Sequence, residues 1–339
     1  GWFVALAVGT LVSSAVRYLR DRRREAIRDR LRRELLDRQR RDGNADEAWI
    51  DGLTRTEREQ LESIVERYLR MLRGGQREQY RAVAAQLGMG KRADRALDRP
   101  GVTPRLRALA RLSLLEYPIA RERLFHTCLD TRRTREAAAR LVEQRRDGFA
   151  DPEITGTTLL LFDRERPLTR YGLETLYDLN DADPMPLLIR ADREASAWTP
   201  ALLVQVCTVL EHCRAVVRPE MLDWAFLLFD HEEPLVRAAA IGLFRRHGWR
   251  RELRDRLPFR GLVTDEDPRV RRRTYEVLAA WGDESARQLL EWAVIDEADS
   301  RCQLVAVRAL ASLGTDPATE SRAWPADAWR WINAELQAD

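Results

Sequence analysis

The chain has 339 residues, a 45% hydrophobic fraction ordinary for folded protein, a 33% charged fraction above average and a net charge of +3. That total hides an uneven distribution: residues 17–41 hold twelve arginines against five acidic residues, so the other residues together sum to −4. A mildly acidic body beside one basic segment argues against a nucleic-acid-binding domain and for a local basic patch.

Trp2 to Val16 is uncharged and, apart from Gly9, Thr10, Ser13 and Ser14, apolar. It is shorter than the roughly 20 residues a membrane-crossing helix needs, and would also suit a buried core helix. Its flanks favour the membrane. Trp2 and Tyr18 sit near the two ends, where amphipathic rings prefer the headgroup level. The run then meets Arg17, Arg20, Arg22, Arg23 and Arg24 with no small-residue cleavage site, the pattern of a retained anchor. Residues 1–19 are therefore expected to form a transmembrane helix. Positive residues stay on the cytoplasmic side, which puts the N-terminus outside and the rest of the chain in the cytoplasm of a single-pass cell-membrane protein. The arginines would meet anionic lipid headgroups at about 1 kcal/mol each. The small residues Gly9, Ser13 and Ala15 would let the helix pack closely on an integral membrane subunit.

Residues 20–45 read as a basic helical stalk. Ile27, Leu31 and Leu35 form one stripe, and Asp29–Arg33 and Glu34–Arg38 pair at i+4. It lies along the membrane or a partner helix, or is solvated around a narrow apolar seam; the residues fit either. Asp42-Gly-Asn-Ala-Asp is a loop by composition.

Residues 46–99 read as an N-terminal helical cap. Thr56-Glu-Arg-Glu59 has capping-box spacing, and Leu61, Ile64, Val65, Tyr68, Leu69 and Leu72 follow on one helical face up to Gly74-Gly75. Tyr80, Val83, Ala84 and Leu87 mark a shorter partner helix ending at Gly88. Gly88-Met-Gly-Lys91 is not a phosphate-binding loop. Ala85 stands where that motif needs glycine, and Arg92 where it needs serine or threonine.

From about residue 100 the chain repeats itself. Leu161-Phe-Asp-Arg-Glu-Arg-Pro-Leu-Thr-Arg170 returns as Leu228-Phe-Asp-His-Glu-Glu-Pro-Leu-Val-Arg237, and Pro167, Pro200, Pro234 and Pro268 fall 33, 34 and 34 residues apart. A period of that size in a helix-rich chain means stacked helical hairpins, because one hairpin cannot bury its apolar stripe alone. The second helix of each hairpin is expected to open near Pro104, Arg133, Pro167, Pro200, Pro234, Pro268 and Ser300, since proline is tolerated in a first turn. Leu176, Val209, Leu243 and Val277 all lie nine residues after their proline, on the face that meets the next hairpin. Gly248 and Gly282 have C-cap spacing. A last helix around Pro325–Leu336 breaks register and closes the array.

Asp230-His-Glu-Glu-Pro-Leu-Val-Arg-Ala-Ala-Ala-Ile-Gly-Leu243 and Asp265-Glu-Asp-Pro-Arg-Val-Arg-Arg-Arg-Thr-Tyr-Glu-Val-Leu278 resemble HEAT repeats. The subtype they resemble is that of phycobilisome-lyase-like proteins, whose second helix opens with Asp, Pro, Val-Arg and a small-residue run. The resemblance is clearest over 226–314, extends through 100–225 and does not reach before about residue 50. It implies an all-α chain: an α-solenoid of about seven HEAT-like hairpins over 100–318, closed by a capping helix in 319–339. It also implies that Arg170, Arg237 and Arg271 are scaffold residues tying adjacent turns together, with Leu203 interrupting the series.

Such arrays are mostly binding scaffolds. The expected function is a non-catalytic membrane-anchored adaptor for an integral membrane subunit, in envelope polysaccharide synthesis or export machinery, with no cofactor, nucleic acid or small-molecule substrate. Two alternatives follow from the resemblance. HEAT-like alkylpurine DNA glycosylases bind DNA on a basic face, which would make Arg105, Arg107, Arg133, Arg140, Arg271, Arg272 and Arg273 phosphate contacts. A chromophore lyase would need a catalytic constellation, and no nucleophile–base grouping is recognisable. Cys128, Cys207, Cys213 and Cys302 lack zinc-site spacing, and adjacent His212 and Cys213 cannot chelate as an i, i+4 pair. Buried thiols in a reducing compartment are expected.

Trp224 and Trp292 lie two repeat lengths apart with Phe259 near the midpoint, which marks a core position filled by aromatics. Arg272 and Arg273, with Trp324 and Trp331 at the C-terminal cap, are the candidate partner contacts outside the membrane segment.

Overall fold

The computed structural model describes residues 18, 22–40, 47–143, 155–215, 217–248, 250–314 and 325–338. Among these no strand is present, and no helix is long and apolar enough to cross a membrane. The expected span over 1–19 lies outside the described residues apart from Tyr18. The chain divides into two compact units, Gly1–Ala137 and Ala138–Asp339.

Unit 1 begins with α1, described over residues 22–40, then α2 (Glu47–Asp51), α3 (Arg55–Met71) and α4 (Gly75–Gln86). It continues through α5 (Met89–Ala96), α6 (Val102–Leu115), α7 (Arg121–Cys128) and the first half of α8 (Arg132–Glu143). The segment read as a stalk is part of its core. Leu31 and Leu35 are fully buried with Leu61, Ile64 and Val65 of α3, and Tyr80 and Val83 of α4 complete the cluster. Charged neighbours seal this contact. Arg28 donates to Gln60 at 3.1 Å, Arg30 pairs with Glu57, Arg32 donates to the Tyr68 hydroxyl at 2.7 Å, and Trp49 donates to Glu34 at 2.9 Å. A seam one leucine wide is enough here because α3 offers it an equally narrow apolar stripe.

The capping box of α3 is formed by Thr54 and Glu57, two residues before the expected pair. The Glu57 backbone amide donates to the Thr54 hydroxyl, and the Glu57 carboxylate receives the Thr54 amide at 2.9 Å. These bonds and Arg30 hold the Glu57 carboxyl below its ordinary range.

Unit 2 holds α9 (Gly156–Leu160), α10 (Arg170–Asn180), α11 (Met185–Glu194), α12 (Pro200–His212), α13 (Asp223–Phe226) and α14 (Pro234–Leu243). After these come α15 (Arg251–Arg254), α16 (Phe259–Val263), α17 (Pro268–Trp281), α18 (Glu284–Asp296), α19 (Ser300–Ser312) and α20 (Ala326–Ala338). The second helices stack in sequence: α10 on α12, α12 on α14, α14 on α17, α17 on α19, and α19 on α20. Leu176, Val209, Leu243 and Val277 are all buried, as the nine-residue offset requires. The first helices are less regular. Pro219 opens a 3-10 turn before α13 and Pro258 precedes α16, and these helices run only four and five residues, while proline-free α18 runs 13.

The two expected C-cap glycines do different work. Gly282 has φ +65° and takes the left-handed cap of α17, a conformation that strains any residue with a Cβ. Gly248 has φ −59° and caps nothing in that sense. A Cβ there would lie 2.3 Å from the Trp281 ring, so glycine is needed for the close approach of that indole. The ring stacks edge-on to Phe259 at 5.0 Å, and its Nε1 donates to the Phe244 carbonyl at 3.2 Å.

Because α1 is core, Leu31→Ala or Leu35→Ala is expected to destabilise unit 1 by about 3 kcal/mol in urea denaturation followed by circular dichroism. A projecting stalk would tolerate either change at no measurable cost.

Candidate interaction surface

The fourth residue of each second helix decides how the hairpins are tied. In α17 it is Arg271, whose guanidinium pairs with both Glu297 oxygens at 2.8 and 2.9 Å. Its Nη1 donates to the carbonyls of Asp265 and Glu266, at 2.7 and 3.2 Å, in the turn before its own helix. Arg237 in α14 repeats the pattern one hairpin earlier, paired with Asp265 at 2.8 Å through both nitrogens and bound to the His231 and Glu232 carbonyls. Each arginine thus fills the orphan acceptors of its own turn and grips the next turn through a carboxylate. Burial alone would raise the Glu297 carboxyl, but Arg271 and the Tyr275 hydroxyl at 2.7 Å outweigh it and hold the group below the ordinary range.

The same position carries the staple in unit 1. Arg105, fourth in α6, grips Asp130 at 2.6 and 2.7 Å and the Thr127 carbonyl at 2.8 Å. Arg135, fourth in α8, donates to the Leu129 carbonyl at 2.6 Å. Arg170 does not fit, because α10 starts three residues late, at Arg170 itself. From the first turn its guanidinium reaches only Glu174 on the same helix, at 3.0 Å. Leu203 is fourth in α12 and buried, and a different residue bridges there. Gln205 accepts from the Leu168 amide at 2.7 Å and donates to its carbonyl at 3.0 Å.

A longer tie crosses three second helices. Arg273 of α17 pairs with Glu211 of α12 and, at 2.6 Å, with Glu276. It reaches Glu211 over Gly242 of α14, where a Cβ would come within 2.7 Å of the guanidinium. Arg273 is therefore an internal strut, not a partner contact. Of the arginines assigned to a phosphate-binding face, Arg105, Arg140, Arg271 and Arg273 are all engaged internally, Arg140 with Asp178 at 2.6 Å. At the ends of α10 and α12, Arg214 grips Asp181 at 2.9 Å and, with Tyr177, holds that carboxyl down to about 2.

The sequence of residues 256–321 matches the family of HEAT repeats. This segment carries HEAT repeats. No curated protein and no solved structure matches it. The match covers α16, α17, α18 and α19, and within it the Asp-Pro opening and the arginine staple come together at α17.

Several of the residues read as candidate contacts are exposed. Arg272, beside two engaged arginines, is exposed and makes no ion pair with a described residue. Trp331 on α20 is 65% exposed. Trp292 is 47% exposed, which corrects its assignment to the core. Trp224 and Phe259 are buried as expected, but Trp292 on α18 stays half exposed among the described residues. At the N-terminal end Tyr18, Arg22, Arg23 and Arg24 are exposed, with the Arg22 guanidinium 5.4 Å from the Tyr18 ring. Trp2, Gly9, Ser13, Ala15, Arg17, Arg20 and Trp324 lie outside the described residues. The four cysteines are buried thiols, and burial pushes Cys207 and Cys302 up to about 12.

Arg271→Ala leaves the Glu297 carboxylate buried without its partner and is expected to cost about 3–5 kcal/mol at neutral pH. The Glu297 carboxyl is held low in the native protein, so its contribution is present above the unfolded value of about 4.3 and lost as pH falls below it. The difference between variant and parent in urea denaturation should therefore shrink as pH falls through that range, when the orphaned carboxyl takes a proton. A cost independent of pH would contradict the staple.

Proposed function

We propose that the chain is a non-catalytic adaptor, held at a membrane by its N-terminal segment, whose HEAT repeats grip an integral membrane protein partner. The observation that carries this reading is the row formed by the fifth residues of the stacked second helices. Val204, Ala238, Arg272 and Leu304 follow one another across α12, α14, α17 and α19, partly or fully open to solvent. The adjacent fourth-position side chains are turned into the fold. The row is thus mostly short and apolar with one unengaged cation, and α20, packed on α19, carries exposed Trp331. A shallow apolar strip with an arginine and a tryptophan as anchors suits a protein surface better than a small substrate. The uncharged run Trp2–Val16 followed by arginines supports membrane attachment.

Full-length chain purified from detergent-solubilised membranes should carry a stoichiometric integral membrane protein. The double variant R272E/W331A should weaken that association about thirtyfold, from roughly 2 kcal/mol for an aromatic anchor, with the thermal melt unchanged. Recovery of a lone monomer from wild type would overturn the adaptor reading.

A further inference from the structure

Unit 1 contains a cleft of about 910 Å3 between the first half of α1 and the second half of α3. Arg28 and Arg32 line one wall, Arg67 and Arg70 the other, and Tyr68 and Met71 lie between them. Three features of this face are unusual for a merely solvated one. Met71 is 71% exposed at its edge. The Arg32 guanidinium is held in place by Tyr68, which accepts its Nε–H at 2.7 Å and lies 5.7 Å beneath it, leaving both Nη groups without a described partner. Arg67, Arg70 and Arg73 are exposed and make no ion pair with a described residue, although much of the arginine in this unit is engaged.

The opposing carboxylates are few. Glu66 is engaged by Arg111 at 2.7 Å, which leaves Glu25 and Asp29 on α1. Arg24 lies one turn before Arg28 on the same stripe, next to exposed Arg22 and Arg23, so the basic surface continues along α1 toward the uncharged run Trp2–Val16. A folded face with excess guanidinium, an exposed thioether at its edge and continuity with an apolar segment is complementary to an anionic bilayer. The phosphates would receive the arginines while Met71 enters the headgroup level.

We propose that the face of unit 1 formed by the first half of α1 and the end of α3 docks on an anionic membrane surface, with Arg67, Arg70 and Arg73 on headgroup phosphates. It rests on the membrane reading above but adds a second, folded contact that does not need the N-terminal segment to span. The function of that contact is orientation: it would hold unit 1 against the bilayer and limit its rotation about a single anchor.

The test is amide hydrogen exchange over residues 67–74 of the full-length chain, on phosphatidylcholine vesicles and on vesicles that also contain phosphatidylserine. Exchange should slow on the order of tenfold or more on the anionic vesicles relative to the neutral ones. R67Q/R70Q/R73Q should lose that protection and R67K/R70K/R73K should keep it, with identical thermal melts, since charge and not guanidinium geometry is at work. Equal exchange on the two vesicle types would overturn the docking. So would equal slowing by inorganic phosphate without vesicles, which would make this a soluble-anion site, or slowing by duplex DNA alone. Flotation with neutral vesicles reports the anchor separately: its failure would sink the anchor while the effect of phosphatidylserine remained readable.

Discussion

The structure depends on how a turn between two helices disposes of its backbone carbonyls. A turn that opens a buried helix leaves acceptors with no intrahelical donor, and a hairpin array repeats that problem every 34 residues or so. An arginine at the fourth position of the second helix solves it twice over. Its planar fork has five donors, enough to fill two carbonyls of its own turn and still hold both oxygens of a carboxylate in the next. Lysine could not do this with a single ammonium, which gives one physical use for a chain whose cations are almost all arginine. The same bond network sets spacing, because the carboxylate must come from the following turn, so local satisfaction and inter-repeat register become one constraint.

Where the arginine is missing, the register survives by substitutes of the same geometry. Gln303 is fourth in α19 and donates to the Glu297 carbonyl six residues back, the offset by which Arg237 reaches His231 and Arg271 reaches Asp265. Leu203 gives up the polar tie for buried area, and Gln205 restores a bridge two positions later. The tie from Arg273 to Glu211 works differently, since it skips a helix and needs the missing Cβ of Gly242. It joins α12 to α17 directly, so the middle three helices of unit 2 form a braced block.

Much of this was legible in the sequence, and the failures have physical causes. The proline period located the second helices, and the nine-residue offset picked buried Leu176, Val209, Leu243 and Val277, because both signals are periodic and periodicity survives residue drift. Arg237 and Arg271 were readable from the Pro-x-Val-Arg pattern. Arg105 and Arg135 were not, since their turns lack it; counting four residues from the helix start would have found them. Thr56 and Thr54 both have capping-box spacing, and only the start of packing against α1 decides for the earlier one. Trp292 misled because a hydrophobic residue at a repeated spacing reads as core even where its side chain stays half exposed. α1 misled for the opposite reason: three apolar residues among many arginines look too few to bury, yet a narrow seam suffices when the facing helix supplies the rest.

The distribution of arginine bears on where partners can act. A guanidinium locked by a buried carboxylate is unavailable to a ligand, because releasing it would strand a charge in the interior at several kcal/mol. Arg237, Arg271 and Arg273 are of that kind, so counting basic residues along the repeats overstates the field they present. Two exposed sets bear on recognition: Arg272 beside the apolar fifth-position row, and the arginines at the first turns of α1 and the end of α3. Their settings differ in the way that matters for recognition. The first is a lone charge on a short apolar strip, where shape and one directional bond can select a protein. The second is a spread of weakly opposed charge around an open cleft between two helices, where several headgroup phosphates can be engaged at once.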